Sequence, residues 1–221
     1  MRLLIIDHGC CDYPVGRAHR CRHRLEELGD HAAVCGPSSV PNLVEQHPGM
    51  HGIHLNDIAA ASRAFLAAVR DGSPEAFLSA VTAISPGLLG LVREAARQTI
   101  AEAVDAVDPE AIFVLHAGIL TDLAIETGVP VAVHVALSDL AAADGVAAMR
   151  TLVAAAIGSC NAVVAADAAT AATLRSRWLA AEGERHEPAE AIAVWPLDAD
   201  CRAAAIATAC REALAHRRGP G

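Results

Sequence analysis

The sequence predicts an α/β domain of three layers, built on a mostly parallel sheet of six or seven strands, and two observations carry that expectation. Short, fully apolar runs recur at residues 3–6, 111–115 and 131–135, as strands buried on both faces require. Between them lie longer stretches with apolar residues three or four apart, the spacing of a helix that covers a sheet. Both signals meet in residues 111–140, where two apolar runs flank Ile119, Leu123 and Ile125, and Gly128 and Pro130 close the helical stretch. That is a βαβ unit. A crossover between parallel strands is right-handed and brings both strands out on one side of the sheet.

Taken in order, residues 2–7 give the first strand and 8–15 a loop. Gly16 opens a helix running to about residue 28, with Ala18, Cys21, Leu25 and Leu28 as its apolar face. Arg17, Arg20 and Arg24 line one flank of that face, and such a row is ordinarily a solvated basic edge. The turn Gly29-Asp30-His31 leads into a second strand at 32–35. Pro37, Pro41, Pro48, two serines and an asparagine mark 36–49 as loop, and 50–55 is a short third strand. His47, His51 and His54 gather around its start and read as loop and strand-end residues, because a metal site would need further ligands at coordination distance.

Three helices are expected before the fourth strand, at 58–69, 75–84 and 88–107, with breaks at Ser73-Pro74 and Ser85-Pro86-Gly87. That is more than a crossover needs. After the central unit come an alanine-rich helix over 140–157, a strand at 161–166 and a helix at 168–179. A charged loop at 182–190, a last strand at 191–194, a helix at 199–216 and a tail complete the chain. Residues 1–198 thus form one Rossmann-like, doubly wound domain, on which the terminal helix and tail of 199–221 pack.

Composition limits the function classes. A chain of 221 residues, 53% hydrophobic and 19% charged, buries one sizeable core. All seventeen basic residues are arginine, which together with the abundant alanine looks like the codon bias of a GC-rich genome. A formal net charge of -9 argues against a nucleic-acid binder, whose phosphate contacts call for a basic face. Only residues 3–6 are continuously apolar before Asp7, so no signal peptide or membrane anchor is expected, and the default location is the cytoplasm. The seven cysteines lack CxxC spacing and suggest neither a disulfide framework nor a standard zinc site. Most read as small buried apolar groups, while Cys10 and Cys11, in the loop before the first long helix, are the two candidates for reactivity.

The candidate site is a set of polar residues at strand ends. His8, His116 and His134 end the first, fourth and fifth strands, which are neighbours about 5 Å apart if the order is 3-2-1-4-5. Ligands of open α/β sheets bind at that carboxyl edge. The alternatives are histidines that fill the sheet rim by bonding loop backbone, a ligand site, and a three-histidine metal centre. Asp139 is a candidate acid or base near His134 and also a candidate helix cap together with Ser138. Gly16 and Arg17, at a helix start with free N–H groups, suit an anion.

These residues also carry a resemblance. A strand ending in His116, a helix, the Gly128-Val129-Pro130 turn, a strand ending in His134 and the pair Asp139-Leu140 resemble the amino-terminal, acceptor-side domain of family 4 glycosyltransferases of the GT-B type. The likeness extends to Gly29-Asp30-His31, to Asn161-Ala162-Val163-Val164 with Thr170, and to Val15-Gly16, where the family has two glycines near the donor diphosphate. Trp195-Pro196-Leu197-Asp198 stands where the family links to its donor domain, and nothing in the chain resembles that second domain.

The resemblance implies an acceptor-binding half that needs a donor-domain partner for sugar transfer. His134 would stand at the reacting sugar with Asp139 as its catalytic companion. His8 and His116 would line the cleft, and Gly16 and Arg17 would lie near an anionic group. The helical insertion at 58–107 would shape the acceptor cleft. Expected partners are a sugar acceptor, a nucleotide-sugar, a donor-domain chain or a second copy, with no cofactor and no metal. The alternatives are a non-catalytic binding or scaffolding module that keeps the fold, and a histidine-based metal-dependent hydrolase.

Overall fold

The computed structural model describes residues 1–9, 17–41, 43–55, 63–71, 73–178, 192–194 and 203–217. Seven strands form one sheet: β1 (Arg2–Ile6), β2 (His31–Ser38), β3 (Met50–His54), β4 (Ala111–Val114), β5 (Val131–Val135), β6 (Ala162–Ala165) and β7 (Ala193–Val194). Their order is β3-β2-β1-β4-β5-β6-β7, and every pairing is parallel. The expected α/β three-layer architecture is what the chain adopts. The order reverses between β1 and β4, where Leu3 stands opposite both Ala32 and Ala111. At such a reversal the crossovers on either side diverge and leave room at the carboxyl edge.

Alternation along β1 divides the core. Leu3 and Ile5 face one layer, with Ala18, Cys21 and Leu25 of α1 (Arg17–Glu27) and Ile206, Ala209 and Cys210 of the terminal helix α10 (Ala203–Arg217). Leu4 and Ile6 face the other layer. There Val92, Ala96, Ile100 and Ala103 of α5 (Pro86–Val107) lie against the sheet, with Leu123 of α6 (Thr121–Glu126) and Val153 and Ile157 of α8 (Ala147–Ser159). Arg93 ties α5 to α6 through a paired contact with the Asp122 carboxylate and a 2.9 Å bond to Ile119 O, and Arg97 reaches Glu126 at 2.9 Å.

Between β2 and β3 lies the single turn α2 (Leu43–Gln46). Two further helices, α3 (Arg63–Asp71) and α4 (Pro74–Ala83), precede α5. Ser73 and Ser85 cap α4 and α5 by accepting from Ala76 and Leu88 N–H, each followed by a proline that needs no N–H partner at the first helical position. After β5 come α7 (Leu137–Asp144) and α8, and after β6 comes α9 (Ala168–Thr173), which runs into a π-helical turn at Leu174–Trp178. Among the described residues no helix is long and apolar enough to cross a membrane.

Three expectations are corrected. The alanine-rich stretch 140–157 is two helices, because the chain leaves helical geometry at Val146 after Gly145. Leu28 does not belong to the apolar face of α1 and is 59% exposed. Gly29, at φ +84, lets Asp30 N–H return to Leu25 O and Gly29 N–H to Glu26 O, and this closure turns Leu28 outward. Cys35, Cys160 and Cys210 are free and buried as expected, but Cys21 is disulfide-bonded. Cys10 and Cys11, the loop at 182–190 and residues 195–198 lie outside the described residues.

The α1 correction has a direct test. Leu25→Ala removes a fully buried side chain and is expected to lower unfolding free energy by about 2–5 kcal/mol. Leu28→Ala is expected to stay within about 0.5 kcal/mol of wild type. Urea denaturation of the two variants compares them directly, and equal losses would restore Leu28 to the core.

Candidate active site

β1 is apolar on both faces up to Ile6, and the chain leaves the sheet through Asp7, His8 and Gly9. Asp7 N–H still bonds Cys35 O at 2.9 Å, and Gly9 N–H turns back to Asp7 Oδ1 at 3.0 Å. His8 is therefore delivered into the interior, with no exposed surface. Its Nε2 accepts from Leu120 N–H at 3.2 Å, satisfying one of the free donors at the start of α6. An accepting Nε2 puts the ring proton on Nδ1 of the neutral imidazole. That Nδ1 is buried and has no hydrogen-bond partner among the described residues.

His116 follows β4 and His134 lies within β5, both almost fully buried. A carboxylate can only accept, so His116 Nδ1–H donates to Asp139 Oδ1 at 3.0 Å. Asp139 Oδ2 accepts from Ala136 N–H at 2.9 Å and from Ala117 N–H at 3.2 Å. Asp139 is the third residue of α7, and its bond to Ala136 is the returning half of a capping box. Alanine at the cap position has no side-chain acceptor, so Asp139 caps alone. Ser138 takes no part in the cap and lies 3.5 Å from Asp139 Oδ1. His134 Nδ1–H donates to Leu115 O at 3.0 Å, and its ring meets His116 edge to face at 6.3 Å.

His8, His116 and Asp139 act on one another electrostatically. Burial, reinforced by His116 and opposed by Asp139, pushes His8 down to about 3. Of the other sequence candidates, Arg17 is the first residue of α1, while Gly16 lies outside the described residues. His51 and His54 stay on the edge strand β3, and His47 lines an open cleft beside α1. Among the described residues no group of three His, Cys, Asp or Glu side chains is arranged to hold a metal ion.

Sequence reasoning missed what closes over the cluster. Phe77 of α4 packs on the His8 ring at 6.2 Å and on Phe65 of α3 at 5.8 Å. A Cβ on Gly118 would stand 2.5 Å from Leu78 Cδ2 and 2.6 Å from His8 Nε2, so glycine is required where the loop after β4 passes beneath α4. Helix α4 also packs along α7. Beside Asp139 this leaves a cavity of about 10 Å³, lined by Leu78, Thr82 and Gly118 among others, with room for one water at most. A larger open cleft of about 320 Å³ lies away from the cluster, between α1 and the chain entering β3.

The neutral state of His8 sets a pH dependence. With its folded pKa below the ordinary 6.5, the unfolded chain binds one more proton between about pH 6.5 and 3. Its contribution to stability is therefore complete above pH 6.5 and is lost as the pH falls through that window. His8→Gln keeps an acceptor for Leu120 N–H and removes the titration. Relative to this variant, wild type is expected to lose about 1.4 kcal/mol more per pH unit between pH 6 and 4, measured by denaturation at stepped pH. Parallel curves would show that His8 is not held neutral.

No family model matches the chain, and no curated protein matches it. Similar solved structures include a protein of Listeria monocytogenes assigned as a UDP-N-acetylglucosamine 2-epimerase, with 11% identity over 88% of this chain and 44% of that one and a TM-score of 0.48. The UDP-GlcNAc 2-epimerase of Neisseria meningitidis bound to UDP-GlcNAc matches with 12% identity over 88% and 45% of the two chains, at TM-score 0.47. A co-structure of S. aureus MnaA with UDP matches with 15% identity over 85% and 44%, at TM-score 0.44. The chain spans less than half the length of these structures.

Proposed function

We propose that the chain is the acceptor-side half of a GT-B-type, glycosyltransferase-like protein, which holds a sugar at the carboxyl edge of its sheet and needs a donor-binding domain to transfer it. Residues 1–198 are the domain and 199–221 a helix and tail that pack on it. The observation that supports this reading is the cluster of His8, His116, His134 and Asp139 beside the reversal of strand order. Its imidazoles have defined tautomers, and among the described residues His8 Nδ1–H is a buried donor without a partner. Such a set suits hydroxyl groups, which both donate and accept. In this role His134 and Asp139 stand nearest the reacting sugar, His8 and His116 line its site, and Gly16 and Arg17 serve the anionic end of a nucleotide-sugar.

A second reading, a non-catalytic module that keeps the fold, is favoured by a different observation: Phe77, Leu78 and Gly118 pack tightly over the cluster, and the cavity that the described residues leave beside Asp139 is about 10 Å³. Calorimetric titration with UDP, GDP and their sugars separates the two. On the first reading a nucleotide-sugar binds saturably and His134→Gln weakens it by about tenfold or more, about 1.4 kcal/mol. Absence of heat from every ligand would mean that the chain alone holds no donor, leaving an acceptor subunit or the non-catalytic module.

A further inference from the structure

A groove at the amino edge of the sheet, opposite the histidine cluster, has no part in the proposed sugar site. It consists of two adjoining clefts of about 320 Å³ and 280 Å³, and Arg22, Glu26 and Pro48 line both. The first opens between α1 and Met50, where β3 begins, with His19, His23 and His47 on its walls. The second runs past Arg2 and His31, the first residues of β1 and β2. Two arginines and four histidines thus face one carboxylate, Glu26, on a chain of net charge -9. The first cleft alone has the volume of a small-molecule site.

Arg22 is held in place where the two clefts meet. Its Nε donates to Glu26 Oε1 at 2.8 Å and its Nη1 to Pro48 O at 2.9 Å. The guanidinium rests on Gly49, where a Cβ would stand 3.0 Å from Nη1 and 3.2 Å from Nη2 and where φ is +81. Glycine therefore gives the arginine its seat. With Nε and Nη1 engaged, Nη2 keeps its donors for a ligand, and the side chain is only 22% exposed. A guanidinium fixed in this way loses little entropy on binding, and its planar edge suits an oxyanion.

The charges around the first cleft disfavour a further cation. Burial, then Arg22 and His47, lower His19 from its ordinary value, and Glu26 opposes them less. His51 of β3 is lowered as well, by burial first, with Glu102 of α5 opposing and Arg22 adding. A bound anion would reverse these effects. Coulomb attraction acts over several ångströms, so the walls need not close on one point.

We propose that this groove binds a small multivalent oxyanion, with Arg22 as its anchor and the imidazoles of the walls as counter-charges taken up with protons. The anion raises the His19 value, so binding takes up protons and strengthens as the pH falls from 7.5 to 5.5.

The test is calorimetric titration of the full chain with pyrophosphate and, separately, citrate, at pH 7.5 and 5.5 and constant ionic strength. One saturable site is expected, and Arg22→Gln should weaken it by about tenfold or more. Tighter binding of pyrophosphate assigns the site to phosphoryl groups and tighter binding of citrate to carboxylates, and either supports the proposal. His19→Gln removes no hydrogen bond among the described residues and should melt like wild type without ligand. Its affinity should gain about threefold less than that of wild type between pH 7.5 and 5.5, the ligand's own protonation being common to both. Absence of saturable binding, wild-type affinity in Arg22→Gln, or the same pH dependence in His19→Gln overturns the proposal.

Discussion

A single buried carboxylate organises the carboxyl edge. Asp139 receives N–H groups from the loop after β4, from the exit of β5 and from the ring of His116, and is itself only 1% exposed. Removing a charge from water costs several kcal/mol, and here three donors offset it. The same bonds fix geometry. They set the spacing between the ends of two adjacent strands, start α7, and hold the His116 proton on Nδ1. Loss of the carboxylate would strand two buried donors and a part-buried one at once, a larger penalty than loss of one helix cap.

That constraint explains why the edge can be packed so closely. With β4, β5 and α7 held, the loop carrying Gly118 runs flat enough for α4 to settle on it, and Phe77 and Leu78 seal His8 from water. The low dielectric so created keeps His8 neutral and leaves its Nδ1–H without a partner among the described residues, a cost of about 1–3 kcal/mol that the packing must outweigh. A ligand reaching the cluster would remove that cost by accepting from Nδ1–H, but it would first have to displace α4. The helical insertion is thus a cover for the cluster as the chain stands.

Much of the sheet was legible because its strands are buried on both faces and leave a continuous apolar signature. Val131–Val135 reads the same in sequence and structure, and β1 differs by one residue. Helix ends were less legible. Leu28 fits the apolar period of α1, but the backbone closure at Gly29 turns it into solvent, and periodicity does not report that closure. Residues 140–157 hid a break because alanine suits every face of a helix. At the site, the histidines could be picked out as polar residues at the ends of apolar runs. Gly118 could not, since the demand for a missing Cβ comes from α4, forty residues earlier in the chain. Nor could the cleft at His19, which needs His47 brought across by the fold.

The charge of the cluster limits how a nucleotide-sugar could lie on this edge. Its buried carboxylate and neutral His8 offer no positive counterpart for a diphosphate, and at low dielectric two like charges within a few ångströms repel by several kcal/mol. Only the sugar end suits the cluster. The phosphates would need donors elsewhere, and a helix start such as that of α1 at Arg17 is the kind of element that supplies them. The two ends of such a ligand would then be served by different elements: β1, β4 and β5 for hydroxyl groups, and α1 for charge. A second domain closing over this edge would meet α4, and beside an acidic chain of net charge -9 the task of neutralising the remaining phosphate charge would fall to that domain.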